Sequence, residues 1–403
     1  MSTYQKLSFP YLHDHHTHTF FYGLLSKCPS LADVHDKDTA LTMLRSLRSE
    51  FTVVTGWYSP RYVFSQAELE SLPPILICQV SLHTFSANKR GLEFIARYDH
   101  TIAAHLFDQE WVERHLPSIF ECIMGLFPFD GAVITAFMHK LLSLGIYSAD
   151  DMLAPHDEAV AFSQTPAMKG RIACWVSPDV WNRLSPENRK NVSGIKLFTD
   201  GANGAYSAAL EHPYDNGSHG ILLHDDDELP ALFEEARRMS AACAVHAIGD
   251  RAIAQTLASY ERYVKEFRPF SLFRIEHCQF ITKTQAMKAR DLGITLSMQP
   301  NFNSDSVDYA GRLARCYIEG NDPFRMLIDE CGFVPGKDLI FGSDGMPHGL
   351  KPALEAVLFP SYEGQRLTVE EFRAGYCLQN GSDDVLTVTV DHNTRTVNME
   401  ASQ

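Results

Sequence analysis

Two histidines near the start of the chain, His16 and His18, have the spacing of metal ligands on a single strand. Alternate residues of a β-strand point to the same face, so both imidazoles would project together. Two imidazoles at the end of a strand can bind one zinc-like ion. The pattern is short, however, and a solvated polar N-terminal segment would explain it equally well. Its meaning therefore depends on what the rest of the chain supplies.

Further polar residues lie near the ends of other predicted strands. Lys196 lies inside the apolar run GIKLF, where an unpaired ammonium group is costly to bury. His246 and His277 are separated by one strand–helix repeat, and Asp344 ends the run FGSD. Each residue alone has an ordinary structural explanation, such as a hydrogen-bonded core histidine or a helix-capping aspartate. Their shared position at strand ends predicts a metal site.

The elements that would position these residues are short apolar runs separated by helical patterns. Apolar runs of this kind are typical of a parallel sheet covered by helices on its faces. Eight of them predict an α/β fold, a closed (β/α)8 TIM-like barrel, whose active site lies at the C-terminal ends of the strands. The runs are residues 9–18, 145–152, 171–177, 194–201, 242–250, 272–279, 293–300 and 338–345.

Residues 19–144 do not follow this repeat. We interpret them as a large insertion after the first barrel strand that roofs the active-site mouth, with strand-like runs at 51–57 and 74–83 and then two helices. Its aromatic residues could line a pocket for an aromatic or apolar substrate, although a hydrophobic core explains them more simply. Residues 384–403 alternate apolar and polar side chains, which predicts a β-hairpin tail. The barrel domain would therefore span residues 1–383.

The composition excludes several classes of protein. The chain has 403 residues, of which 45% are hydrophobic, and a formal net charge of −15. This is ordinary globular composition, and the acidic charge disfavours nucleic acid and membrane surfaces as partners. An odd number of cysteines without a CxxC pair favours a reduced compartment. With neither a signal-peptide pattern nor a membrane-length apolar stretch, we expect a cytoplasmic protein that acts on a small molecule.

The motifs DHHTH, GIKLFTDGANGAYSAAL, VHAIGDRA, RIEHCQ, SMQPN and FGSD together resemble the ordered motif set of the amidohydrolase superfamily, in particular its YtcJ-like branch, amidohydrolase family 3. The segment SLHTFSANKRGLE is similar to a histidine-containing substrate-side motif of that branch. Members usually carry a β-sandwich domain beside the barrel. Because only about a dozen residues precede Asp14 and about twenty follow Asn380, we expect this domain to be reduced to a remnant or missing.

The resemblance implies a ligand set for one or two divalent ions, most simply zinc. His16 and His18 would bind the more buried ion together with Asp344. His246 and His277 would bind a second ion.

Lys196, carboxylated by carbon dioxide, would bridge the two ions. If Lys196 is unmodified, a one-metal site or a substrate-contacting ammonium group is the alternative. Asp344 would also be the catalytic general base and acid.

The resemblance and the motif positions also suggest residues around the metal. We expect substrate contacts from His83, Arg251 and His348. Ligating imidazoles usually donate their second N–H to a carboxylate or carbonyl, and the candidates for this role are Asp14, Glu276 and Asp250. Tyr206 stands where the branch more often has a basic residue, so substrate contacts cannot simply be transferred.

The activity implied is metal-dependent hydrolysis of a C–N bond in a small amide, formamide or cyclic amide. Two alternatives stay open. The same barrel supports metal-dependent lyase chemistry such as decarboxylation, because fold does not determine reaction. A non-catalytic, metal-binding regulatory protein is the other alternative. Loss of the sandwich domain would expose apolar surface, so we also expect a homo-oligomer, most simply a dimer.

Overall fold

The computed structural model describes residues 4–378 and 385–400. Its strands, in chain order, are β1 (Tyr4–Pro10), β2 (Leu12–Thr17), β3 (Thr52–Trp57), β4 (Ile75–Gln79), β5 (Phe85–Ala87), β6 (Ile146–Asp151), β7 (Ile172–Val176), β8 (Val192–Phe198), β9 (Ala242–Ala247), β10 (Leu272–His277), β11 (Thr295–Met298), β12 (Leu339–Phe341), β13 (Val385–Asp391) and β14 (Thr396–Met399).

α-Helices separate most of these strands. In chain order they are α1 (Thr19–Leu24), α2 (Lys37–Arg45), α3 (Gln66–Glu70), α4 (Lys89–Ile95), α5 (His100–His105), α6 (Gln109–Arg114), α7 (Leu116–Gly125), α8 (Gly131–Ser143), α9 (Asp157–Ser163), α10 (Pro178–Arg183), α11 (Pro186–Arg189), α12 (Glu228–Met239), α13 (Asp250–Glu266), α14 (Lys283–Asp291), α15 (Asp305–Asp308), α16 (Arg315–Gly320), α17 (Leu350–Leu358) and α18 (Val369–Tyr376).

The central sheet contains eight parallel strands in the order β2-β6-β7-β8-β9-β10-β11-β12. Its two ends approach each other, because the backbone N–H of Asp344, just after β12, donates to the carbonyl of His16 in β2 at 2.7 Å. Gly342 allows this approach, since a Cβ there would lie 2.4 Å from the His16 nitrogen. The predicted (β/α)8 TIM-like barrel is therefore confirmed, with one strand in each of the eight apolar runs.

The helices pack on the barrel through the apolar faces that their sequences encode. In α12, Leu229, Phe233 and Ala236 are buried, as their spacing of three and four residues predicts. The helix carries Glu228 in its first turn and two arginines in its last, an arrangement that the helix dipole favours. Such helices cover the outer face of the sheet and leave its strand ends free to carry polar residues.

The segment 19–144 contains a small separate sheet with the order β3-β4-β5 and its own cluster of buried apolar residues. Trp57 and Tyr62 belong to that cluster, so the simpler explanation of these two aromatic residues is correct. After residue 83 the structure has five helices, α4 to α8, where the sequence predicted two. Residues at three of their starts, Asn88, Asp99 and Asp130, accept hydrogen bonds from backbone N–H groups and divide the segment into shorter helices.

The predicted tail hairpin is present as the antiparallel pair β13 and β14, and β1 adds a third strand beside β13. The proposed boundary between residues 383 and 384 lies outside the described residues. The interpretation of the hairpin as the remnant of a sandwich domain stays a prediction. Among the described helices, none combines the length and apolar character needed to cross a membrane.

Candidate metal centre

His16, His18 and Asp344 converge at the point where the first and last barrel strands meet. One donor atom from each residue lies within 4.8 Å of the other two. Nε2 of His18 lies 3.3 Å from Oδ1 of Asp344, and Nε2 of His16 lies 3.8 Å from the same oxygen. Both imidazoles are buried. The predicted ligands of the first ion therefore form a compact three-donor group.

The His16 ring is oriented by a contact on the side that faces away from the three-donor group. Its Nδ1 lies 2.6 Å from Oε2 of Glu276, a carboxylate with no exposed surface. A carboxylate in this position fixes the ring and leaves Nε2 free for a metal. Burial, with Lys196 and His18 nearby, holds the pKa of His16 well below its usual value, so the imidazole is neutral, as a ligand must be.

His277 and His246 lie next to this group at the ends of β10 and β9. The His277 ring centroid is 4.7 Å from that of His16 and 4.6 Å from that of His246. Nδ1 of His277 lies 2.7 Å from Oε1 of Gln299, and its Nε2 has no hydrogen-bond partner in the described part of the chain. Nε2 of His246 lies 3.1 Å from the Gly201 carbonyl, and no described residue bonds to its Nδ1. The two imidazoles can serve as a second pair of donors, with Lys196 as the nearest predicted third ligand.

Lys196 projects from β8 into the barrel and is 1% exposed. Its Nζ has no hydrogen-bond partner among the described residues and lies 5.1 Å from the centroid of the Phe198 ring. Burial lowers the pKa of this amine to about 8, although Glu276 and Asp344 act in the opposite direction. A buried and unpartnered amine is costly, and binding a ligand or forming a carbamate would remove that cost.

The metal group opens into an inner cavity, and residues of the segment 19–144 form part of its wall. Its volume is about 640 Å³, part of it open to solvent. His83 lies in this wall, with its ring 5.5 Å from that of His246 and its Nδ1 2.6 Å from a buried oxygen of Glu113. Burial would lower the pKa of His83, but Glu113 raises it. The apolar and aromatic lining consists of Tyr22, Leu82, Leu116, Phe120, Leu153, Phe198, Phe302, Tyr309 and Met346, with smaller residues between them.

Other residues predicted from the sequence do not reach the cavity wall. Arg251 lies in the first turn of α13 and lines a separate groove on the outside of the barrel. His348 is half-buried beside Tyr22, where its Nε2 lies 2.8 Å from Oγ1 of Thr17. Asp250 accepts a hydrogen bond from Tyr317 and contacts none of the proposed ligands.

Asp14 supports the site through the backbone. One of its oxygens accepts from the N–H groups of His16 and Ser343, and the other lies 2.5 Å from the Ser343 hydroxyl. Burial raises the pKa of Asp14 to about 7, against the effect of these hydrogen bonds. Asp14 therefore joins the two strand ends and does not orient an imidazole ring.

Several residues that contact the predicted site residues were not predicted from the sequence. Asp200 lies 3.5 Å from Nε2 of His246 and accepts three backbone N–H groups, while burial raises its pKa to about 7. Asp200 and Gln299 follow β8 and β11 directly, so their positions after apolar runs were a usable signal. Glu113 lies in the insertion, and nothing in the sequence connects it with His83.

The donors present fit a divalent metal. Two imidazole nitrogens and one carboxylate around a common point, with open space on the cavity side, are the ligands that catalytic zinc sites use. The buried ammonium of Lys196 has no protein partner in the described part of the chain, which is unfavourable unless something else occupies the space. Fold and site thus define a class, the (β/α)8 barrels that hold a divalent metal at the C-terminal ends of their strands.

The chain belongs to the amidohydrolase family, because the model of that family (Amidohydro_3) matches residues 5–344. YtcJ of Bacillus subtilis (strain 168), whose name places it among the amidohydrolases, is 33% identical over 128 residues, 31% of this chain and 24% of that protein. Protein LONG AFTER FAR-RED 3 of Arabidopsis thaliana is 31% identical over 124 residues, 29% of this chain and 21% of that protein. The aligned regions span less than a quarter of these curated relatives.

Two solved structures have the same fold over most of the chain. They are uncharacterized metal-dependent hydrolases from Pyrococcus furiosus and Pyrococcus horikoshii OT3, with TM-scores of 0.63 and 0.64. Their sequences are 20% and 23% identical to this one, and each alignment covers 91% of this chain and 80% and 77% of the respective structure. This similarity supports the barrel.

Proposed function

We propose that this protein is a metal-dependent hydrolase that cleaves a C–N bond in a small amide, formamide or cyclic amide. The observation that carries the proposal is the convergence of His16, His18 and Asp344, whose donor atoms lie within 4.8 Å of one another where the first and last barrel strands meet. Membership of the amidohydrolase family supports hydrolysis as the reaction class. We propose zinc as the metal, because two imidazoles and a carboxylate suit it well.

Bound at this site, a divalent metal would make a water ligand more acidic and would polarise the substrate carbonyl. The protein's own groups would then manage the proton. Asp344 directs Oδ1 towards the two imidazoles, which leaves its second oxygen for the nucleophilic water. In our proposal this carboxylate accepts the proton as water attacks the carbonyl carbon, and donates it to the nitrogen as the C–N bond breaks.

We further propose that Lys196 is carboxylated. Burial lowers the pKa of its amine to about 8, so a substantial neutral fraction exists near neutral pH. The neutral Nζ can attack carbon dioxide, forming an N–C bond and releasing one proton, which converts a buried cation into an anionic bidentate ligand. The absence of a protein partner for Nζ among the described residues supports this modification. His246 and His277 would then complete a second metal position beside the first.

Metal content and product release test the proposal together. The His16→Ala/His18→Ala variant should lose at least one metal equivalent by elemental mass spectrometry and all turnover in a panel of amides and formamides scored for amine and formate. The matched control is His100→Ala/His139→Ala, which removes two exposed helical histidines. This variant should retain its metal content and its turnover. Unchanged metal content in the His16/His18 variant would overturn the assignment. Release of carbon dioxide without amine would identify a lyase.

Lys196→Arg separates the one-metal and two-metal forms. Arginine keeps the positive charge but cannot form the carbamate, so we expect the metal content to fall from about two equivalents to one or none. Intact-mass measurement in bicarbonate buffer should show the added carbon dioxide on the wild type. Equal metal content in the wild type and Lys196→Arg would show that the lysine does not bridge two ions.

A further inference from the structure

Asp305 lies at the neck between the inner cavity and the solvent. It is the first residue of α15 and lines both the inner cavity and an outer groove that also contains Tyr58, Arg61 and Asp308. Phe302, Tyr309 and Met346 also line both spaces, so the cavity and the groove meet at this point. A substrate bound at the metal group therefore passes Asp305 or leaves part of itself beside it.

Among the described residues, hydrogen bonds reach only one of the two carboxylate oxygens of Asp305. Oδ2 accepts from Nε2 of Gln279 at 2.8 Å and from Nδ2 of Asn203 at 3.2 Å. Both amides are buried, and they are bonded to each other, with Asn203 donating to Oε1 of Gln279 at 3.0 Å. Oδ1 accepts no hydrogen bond from a described residue. The carboxylate is thus fixed through one oxygen, and the other is available to a ligand.

The charge around Asp305 is not neutralised by an ion pair. The only cation in the lining of the inner cavity, within the described residues, is Lys196, which belongs to the metal centre. Arg312 lies nearby, but it donates to the Gly204 carbonyl at 3.0 Å and lies over the rings of Tyr206 and Tyr309. Burial raises the pKa of Asp305 to about 6, so the group is ionised at pH 7.5.

The rest of the neck is aromatic. The ring of Phe302 stacks on His277 with centroids 5.9 Å apart, and the rings of Tyr58 and Tyr309 lie 6.3 Å apart. An ionised carboxylate beside aromatic rings favours a cation, because the rings attract positive charge and the carboxylate accepts its protons. A neutral alkyl group in the same place would desolvate Oδ1 without replacing its hydrogen bonds.

We propose that Asp305 determines substrate specificity by binding an ammonium group, so that the preferred substrates are small amides carrying a protonated amine. This inference rests on the proposed hydrolase function. The competing explanation is structural: Asp305 would only hold Gln279 and Asn203 in place. The two explanations predict different effects of Asp305→Asn, which removes the negative charge of the side chain and keeps its shape.

Matched hydroxamates provide the test, because a hydroxamate binds a catalytic metal and its other end can be varied. Straight-chain ω-amino hydroxamates of two to six carbons would be compared with alkyl hydroxamates in which a methyl group replaces the ammonium. Dissociation constants would be measured by titration calorimetry on metal-loaded wild type, Asp305→Asn and Asp308→Asn. Asp308 is the control, since it is exposed in the outer groove on the same helix.

At one chain length the amino probe should bind wild type about tenfold or more tightly than its alkyl partner, as hydrogen bonds to charged groups predict. In Asp305→Asn this preference should fall to about onefold, with the alkyl affinity changed less than about threefold. Asp308→Asn should retain the wild-type preference. Equal affinities in wild type, or parallel loss of both probes in Asp305→Asn, would overturn the inference. Failure of every hydroxamate to bind wild type would instead overturn the metal-dependent function itself, and the inference with it.

Discussion

The buried guanidinium of Arg274 should be far more important for stability than any surface arginine with the same geometry. Its side chain is 2% exposed inside the barrel, directly below the metal centre. Nη1 donates to Asp150 at 2.6 Å, Nε to Glu276 at 2.7 Å and Nη2 to the His15 carbonyl at 2.6 Å. Burial alone would disfavour ionisation of both carboxyl groups. Arg274 nevertheless helps to hold the pKa values of Glu276 and Asp150 below those usual for such groups.

Arg274→Met removes the cation and leaves two buried carboxylates without it. Breaking a buried pair in this way costs about 3–5 kcal/mol of unfolding free energy, because the remaining charge has lost its water and its partner. Arg315→Met is the matched control. Arg315 donates to Glu319 at 2.6 Å, a similar distance, but the two side chains are 88% and 48% exposed. Exposed pairs contribute about 0–1 kcal/mol, so the control should change little.

The pH dependence gives this prediction a second test. In wild type Asp150 and Glu276 have lower pKa values in the folded protein than in the unfolded chain, where they lie near 4. Their ionisation therefore stabilises the fold above about pH 4, and this stabilisation is lost as the pH falls further. In Arg274→Met the pKa of Glu276 rises, because burial remains and the largest opposing influence is gone, whereas His13 continues to lower the pKa of Asp150. Glu276 therefore takes up a proton as the pH falls towards 5. The destabilisation should therefore be smaller at pH 5 than at pH 8.

Urea unfolding of metal-free protein, followed by circular dichroism at both pH values, measures these differences without a contribution from metal binding. Equal losses of stability in Arg274→Met and Arg315→Met at pH 8 would contradict the importance of the buried cation. A loss in Arg274→Met that does not decrease between pH 8 and pH 5 would contradict it as well.

Two further stability predictions follow from close contacts and buried charge. Gly249→Ala should lower the thermal midpoint by several degrees or prevent folding, because the new Cβ would lie 2.0 Å from the Ala209 carbonyl oxygen. Gly311→Ala is the control. Its Cβ would have no atom within 4 Å, so its stability should stay within about 0.5 kcal/mol of wild type. Asp322→Asn should stabilise the protein more at pH 8 than at pH 5. Neither carboxylate oxygen of Asp322 has a hydrogen-bond partner among the described residues, and burial raises its pKa well above the usual value, so its ionisation opposes folding as the pH rises. An equal effect of Asp322→Asn at both pH values would contradict this explanation.

The barrel could be predicted because its strands are buried on both faces and are therefore continuous apolar runs in the sequence. The same logic located the ligands. A polar residue near the end of such a run lies at the C-terminal end of the barrel, as His246, His277 and Asp344 do. Local sequence is sufficient here because the strand itself positions the side chain.

Residues outside the strands could not be predicted in the same way. Arg251 is five residues beyond His246, yet it lies in the first turn of α13 and lines the outer surface. Glu113 contacts His83, and Asp305 reaches the cavity, because tertiary packing brings together segments that are distant in the chain. Such placement depends on tertiary packing, which hydrophobic periodicity does not encode.

The closure of the barrel between β2 and β12 has a consequence for how the protein would acquire a metal. His16 and Asp344 come from the first and last strands of the barrel, so their donor group exists only when almost the whole chain has folded. Contacts between such distant residues form late, since a long loop must first be closed. A polypeptide still lacking β12 would present two imidazoles without their carboxylate. Tight metal loading should therefore follow synthesis of the complete barrel, and the bound ion should in turn hold the first and last strands together.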